Sequence, residues 1–203
     1  MSKSRYPRSF AHPRYWPTWL AIGAMYIAAW LPWRLKMAIG KGLGLLAWRF
    51  AKRRRHITET NIALCFPEKS PQQQYQLVKD TFIANGIGLI ETATGWCRDG
   101  ESLRHRVAYI GEEHMARAEA RGKGVIIVGV HFSSLDLGGA LHALFFSADA
   151  VYRPHNNPLF ERFMTRARKR NFGVAIDRYD LRGAVRQLKA GRMVWYSPDQ
   201  DFG

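Results

Sequence analysis

Nineteen consecutive residues, Tyr15 to Trp33, carry no formal charge. A helix of that length reaches roughly 28 Å, close to one hydrocarbon core. Trp16, Trp19, Trp30 and Trp33 cluster towards the two ends of the run, as an interfacial aromatic belt does. Pro17 suits a helix start and Pro32 a stop. The run does not read as a cleaved signal peptide, because its apolar stretch is long, its ends are aromatic and no small-residue cleavage site precedes Arg34. These features predict a transmembrane anchor over 15–33, behind a basic tail over 1–14. The competing reading of the same pattern is a buried core helix.

The flanks of the run set its expected orientation. Lys3, Arg5, Arg8 and Arg14 precede it. Arg34, Lys36, Lys41, Arg49, Lys52, Arg53, Arg54 and Arg55 follow it. Eight cations against four place the downstream side, and so the rest of the chain, in the cytoplasm. Leu35, Ile39, Leu43, Leu46 and Phe50 share one helical face, with basic residues on the others. That pattern predicts a basic interfacial helix over 34–55; a solvated helix packed on the following domain fits it as well. Gly40, Gly42 and Gly44 follow no strand, so they are not read as a phosphate-binding loop.

Charge is uneven along the whole chain. Residues 1–55 hold 12 Lys and Arg and no acid, residues 56–124 hold 8 against 9, and residues 125–203 hold 11 against 7. The net charge of +15 calls for an acidic partner: nucleic acid, an anionic membrane surface, or an acidic protein or lipid. The most one-sided charge surrounds an apolar segment and not a recognised reading element, which argues against nucleic acid. Cys65 and Cys97 are too few for a disulfide framework and have no zinc-ligand spacing, so they read as reduced thiols and no metal is expected.

From residue 56 a single domain is expected, to residue 203. Ser70-Pro71 followed by Gln73 is a helix start with cap, N1 proline and capping-box partner, and the helix is expected to run to about Thr94. A second helix is expected over about 112–121. Val125 to Val130 is a continuous β-branched run and reads as a buried strand. Helices are expected from Ser133 to about Phe146, Pro158 to Arg170 and Leu181 to Lys189. Strands are expected at 150–152, 174–176 and 193–196. This alternation predicts an α/β domain with a largely parallel sheet. Chemistry then gathers beyond the carboxyl ends of the strands, where His131 and Asp199 lie.

His131 and Asp136 are five positions apart, too far round for one helical face. With His131 ending the strand and Asp136 in the first turn of the next helix, the carboxylate can reach back to one imidazole nitrogen. The other nitrogen is then free to take a proton from a substrate hydroxyl. The bland reading is that Ser133-x-x-Asp136 is only a capping pattern. No nucleophile elbow and no HExxH compete. Arg153, Arg162, Arg166, Arg168, Lys169, Arg170, Arg178, Arg182 and Arg186 form a basic cluster of the kind that binds phosphate, although a solvated face explains any one of them. Asp199 and Asp201 follow the last strand, where an ordinary turn is the plain alternative.

Together these residues resemble the late acyltransferases of lipid A biosynthesis, the lauroyl, palmitoleoyl and myristoyl group. The resemblance begins at His12-Pro13-Arg14-Tyr15-Trp16-Pro17-Thr18-Trp19 and runs to the last residue. It includes Asn61-Ile62-Ala63-Leu64-Cys65-Phe66-Pro67-Glu68, Val128-Gly129-Val130-His131-Phe132, Tyr152-Arg153-Pro154, Asp177-Arg178-Tyr179-Asp180-Leu181-Arg182-Gly183 and Val194-Trp195-Tyr196-Ser197-Pro198-Asp199. It implies a single-span inner-membrane enzyme with its active site on the cytoplasmic side. The implied donor is an acyl chain on acyl carrier protein, with no other cofactor. The implied acceptor is a hydroxyacyl hydroxyl on a Kdo-bearing lipid A precursor held among inner-membrane lipids. The family's His-x4-acid dyad falls on His131 and Asp136. Its functional arginine falls on Arg168 and its later aspartate on Asp199, with Arg153 as a phosphate or donor contact. Lauroyl-type members have Glu where this chain has Asp136, which leaves acyl length open. The family also continues beyond the aspartate motif in which this chain stops, so the domain is expected to be incomplete at its C-terminus.

Two rivals remain at this level. One is an acyltransferase acting on another membrane phospholipid or glycolipid. The other is a truncated, membrane-anchored basic protein that binds acyl carrier protein or anionic lipid without turnover.

Overall fold

A computed structural model describes residues 10–199. Lys3, Arg5 and Arg8 of the basic tail, and Asp201 of the terminal motif, lie outside the described residues. A 3₁₀ turn at Pro13–Tyr15 leads into α1 (Trp16–Trp30), α2 (Trp33–Phe50), α3 (Lys52–Cys65) and α4 (Pro71–Cys97). A 3₁₀ segment, Gly100–Arg106, and α5 (Glu112–Glu119) connect these to the α/β part. There β1 (Val125–Val128), α6 (Leu135–His142), β2 (Ala148–Tyr152), α7 (Pro158–Asn171), β3 (Ala175–Asp177), α8 (Leu181–Lys189) and β4 (Met193–Tyr196) alternate. The four strands form one parallel sheet in the order β1-β4-β2-β3. The expected α/β class and parallel sheet are therefore present.

The transmembrane anchor expected over 15–33 is not. Among the described residues no helix is long and apolar enough to cross a membrane. The physical reason is Pro32. The run of uncharged residues breaks at Leu31, whose ψ of 154° is extended, as the residue before a proline prefers. Pro32 then starts α2. The 15 residues of α1 rise only about 22 Å, short of a bilayer core. One side of α1 is also committed to the domain. Tyr15 and Ile22 are buried with Leu159 of α7, and Thr18 Oγ1 accepts a 2.8 Å hydrogen bond from Asn157 Nδ2. The other side keeps Trp16, Leu20, Ile27 and Trp30 exposed.

The basic helix expected over 34–55 is divided at Ala51 into α2 and α3. The buried residues of α2 are Lys36, Gly40 and Gly44, four apart, while Leu35, Leu43, Leu46 and Phe50 point outward. The glycines allow α2 to lie directly on α4: a Cβ on Gly86 would sit 2.2 Å from the Gly40 carbonyl oxygen and 2.4 Å from the Gly44 nitrogen. Further along α4, a Cβ on Gly88 would meet Ser133 O at 2.6 Å, and one on Gly95 would meet Asp136 O at 3.0 Å. Through these contacts α4 supports the segment between β1 and α6. The Ser70–Gln73 capping box that starts α4 is formed on both sides.

Candidate active site

The parallel pairing of β1 with β4 decides which groups meet. Val128 is in register with Tyr196, and Gly129 N–H donates to Tyr196 O at 2.9 Å. His131 is three residues beyond Val128 and Asp199 three beyond Tyr196. Equal offsets on adjacent parallel strands bring the two side by side at the carboxyl edge of the sheet. The His131 backbone N–H donates to Asp199 Oδ2 at 2.7 Å, and His131 Nδ1 lies 2.6 Å from Asp199 Oδ1. With Nδ1 as donor, Nε2 is the nitrogen left for chemistry. The backbone and side-chain hydrogen bonds from His131 hold the Asp199 carboxyl below the usual carboxylate range.

Asp136 sits where expected, in the first turn of α6, but it does not bind the imidazole. Its Oδ1 lies 3.8 Å from Arg168 Nη2. The carboxylate hydrogen-bonded to His131 is Asp199, where the sequence reading expected Asp136, and Asp136 faces the Arg168 guanidinium instead. Sequence spacing favours the near acid, whereas strand order favours the one 68 positions away.

A cavity of about 340 Å³ opens beside these groups, and His131, Asp136, Arg153, Arg168, Arg178 and Trp195 are among its lining residues. Arg168 reaches it from α7 and lies over the Tyr152 ring, 5.0 Å from its centroid. Its Nη1 is buried and makes no hydrogen bond among the described residues. Arg153 enters from the end of β2. Of the rest of the basic cluster, Arg178 lines the cavity, although the sequence reading gave it no role of its own beyond a place in the basic cluster and in the 177–183 block. Others serve elsewhere: Arg170 donates to Trp96 O at 2.8 Å, Arg186 pairs with Asp180 at 3.4 Å and Arg162 lies over Phe10. Four of five expected site residues and Arg178 therefore line one cavity, and Asp199 joins them through His131.

The arrangement is an imidazole with one ring nitrogen hydrogen-bonded to a carboxylate, next to a mouth carrying three guanidinium groups. It suits removal of a hydroxyl proton from a substrate that carries negative charge. Among the described residues there is no group of three or more His, Cys, Asp or Glu placed to hold a metal ion. Both cysteines are free thiols, and burial pushes Cys97 up to about 11, which leaves it inert at neutral pH.

The chain matches the family model for bacterial lipid A biosynthesis acyltransferase over residues 4–203. It is 39% identical over 199 residues to the lipid A biosynthesis lauroyltransferase of Escherichia coli K12, covering 98% of this chain and 65% of that protein. The palmitoleoyltransferase of the same organism matches with the same identity and coverage. The myristoyltransferase is 29% identical over 200 residues, with 98% and 62% covered. The chain thus spans just under two thirds of the length of these curated relatives.

Proposed function

This chain belongs to the bacterial lipid A biosynthesis acyltransferases, and from that premise we propose that it transfers a fatty acyl group from acyl carrier protein to a hydroxyl of a phosphorylated lipid A precursor. The observation that carries the reading is the His131–Asp199 pair at the mouth of an arginine-lined cavity. In the proposed reaction His131 Nε2 takes the proton from the acceptor's hydroxyl. The oxygen attacks the thioester carbonyl, the C–O bond forms and the C–S bond breaks. The proton on His131 then passes to the departing thiolate. Asp199 holds the tautomer and stabilises the imidazolium while it exists. Such a base contributes about 10²- to 10⁴-fold in rate.

Arg168, Arg153 and Arg178 hold anionic groups of the substrates in this reading, and Asp136 sets the position of Arg168. The outward Trp16, Leu20, Ile27 and Trp30 of α1, close in sequence to the cations of α2 and α3, support work at the cytoplasmic surface of the inner membrane, docked on it. Equal identity to the lauroyl and palmitoleoyl relatives gives no preference for one acyl length.

The test is incubation with a panel of acyl carrier protein thioesters and the tetra-acylated, Kdo-bearing precursor, read by product mass. A new acyl group that is absent with His131→Ala is expected. Binding of both substrates without turnover, equal in wild type and His131→Ala, would instead identify a non-enzymatic binding protein.

A further inference from the structure

A second cavity lies on the far side of α6 from His131. Leu135, Asp136 and Gly139 face the site cavity, whereas Leu137 and Leu141 face the second one, of about 290 Å³. At about 100° per residue these are opposite sides of the helix. Trp33, Leu103, Val107 and Arg106 complete an apolar chamber with a cationic rim, into which Glu91 also looks.

The surrounding charge is unbalanced. Lys36 is 1% exposed and donates to Ala29 O at 2.6 Å and Thr94 Oγ1 at 3.3 Å. The first of these caps a free carbonyl in the last turn of α1. Its ammonium lies 5.7 Å from the Trp33 ring centroid, as does the guanidinium of Arg106, and Arg98 lies 5.1 Å from that of Trp30. Among the described residues no carboxylate lies within 4.0 Å of any of these three cations. Arg98 Nε is buried without a hydrogen-bond partner among those residues. Burial, and then repulsion from Arg98 and Arg106, lower the Lys36 pKa. Glu91 makes no ion pair with them, and burial raises its carboxyl pKa. The chamber lining itself holds one cation, Arg106, and one acid, Glu91; Lys36 and Arg98 beside it add positive charge that a bound anion would relieve.

We propose that this chamber binds a phosphate group carrying an apolar chain, with Arg106 on the phosphate and the chain against Leu103, Val107, Leu137 and Leu141. The indole of Trp33 holds the Arg106 guanidinium in place, which leaves less side-chain freedom to lose on binding. The site is separate from the reacting groups, so its existence does not depend on the acyl-transfer reading.

The test is calorimetric titration of the full chain with dodecyl phosphate below its micelle concentration, with inorganic phosphate and dodecanol as single-feature probes. Saturable binding of dodecyl phosphate, about tenfold or more tighter than either probe, is expected. Arg106→Gln and Leu141→Trp should each weaken it about tenfold, and His131→Ala should leave it unchanged. Arg106 is exposed, so its variant tests the site even where the bulkier one fails to fold. Unchanged binding in Arg106→Gln overturns the proposal, as does loss of binding in His131→Ala, which would place the amphiphile in the other cavity. Inorganic phosphate binding as tightly as dodecyl phosphate would assign a free-phosphate site and overturn the apolar half.

Discussion

His131 receives two hydrogen bonds' worth of constraint from one carboxylate, because Asp199 takes both its backbone N–H and its Nδ1. Asp136 is left to Arg168 at 3.8 Å. The two acids therefore act through different partners, and a double-mutant comparison separates them. Asp199→Asn should lower kcat about 10²- to 10⁴-fold, with an effect strongly non-additive with His131→Ala. Asp136→Ala should couple instead with Arg168→Ala and act more on KM, since it releases the guanidinium that we propose holds an anion. A stronger coupling of His131 to Asp136 than to Asp199, measured on kcat/KM, would reverse these assignments. The candidate residue types were legible in the sequence, because a histidine after an apolar run rich in β-branched residues is conspicuous. Their pairing was not, because Asp199 is adjacent only once β4 has inserted between β1 and β2.

Helix α2 shows how an element can present the reverse of what its pattern suggests. Its apolar residues are spaced as a core face, yet that face is outward and the helix buries Lys36, Gly40 and Gly44. Close approach to α4 requires the glycines, since a Cβ on Gly44 would lie 2.4 Å from the Phe82 carbonyl oxygen. That oxygen is backbone and cannot turn aside. Gly44→Ala and Gly86→Ala should each destabilise the chain by about 1–3 kcal/mol or more, read as a lower urea midpoint. Gly42→Ala, where a Cβ meets nothing within 4 Å, should be neutral or stabilising by up to about 1 kcal/mol. Equal losses at Gly42 and Gly44 would remove the packing argument. Pro32 is the other element-scale decision: it converts one uncharged run into two helices, one of which packs on α4 and α7.

At the scale of the molecule, the core under the sheet includes a histidine whose ionisation opposes the fold. His142 is 7% exposed, touches Tyr109 at 3.2 Å, and burial lowers its pKa. The unfolded chain takes up that proton at about pH 6.5, whereas the folded chain does so only at lower pH. The stability that a neutral His142 confers is therefore full above about pH 6.5 and falls as pH drops through the window beneath it. Asp199, whose pKa is also lowered, contributes stability that persists to lower pH and declines only beneath the ordinary aspartate value of about 3.9. Urea midpoints should thus fall between pH 7.5 and pH 5.5, and His142→Phe should flatten that interval. An equal fall in the variant would assign the effect to other groups. Local composition by itself determined the alternation of strands and helices after residue 124, the Ser70–Gln73 cap and the family, because each depends on neighbours within a few residues or on short ordered motifs. Only the tertiary structure decided the strand order β1-β4-β2-β3, the choice of Asp199 over Asp136 and the packing of α1 on the domain. Those depend on contacts between residues tens of positions apart, and their selection is a comparison of whole packings that no local pattern contains.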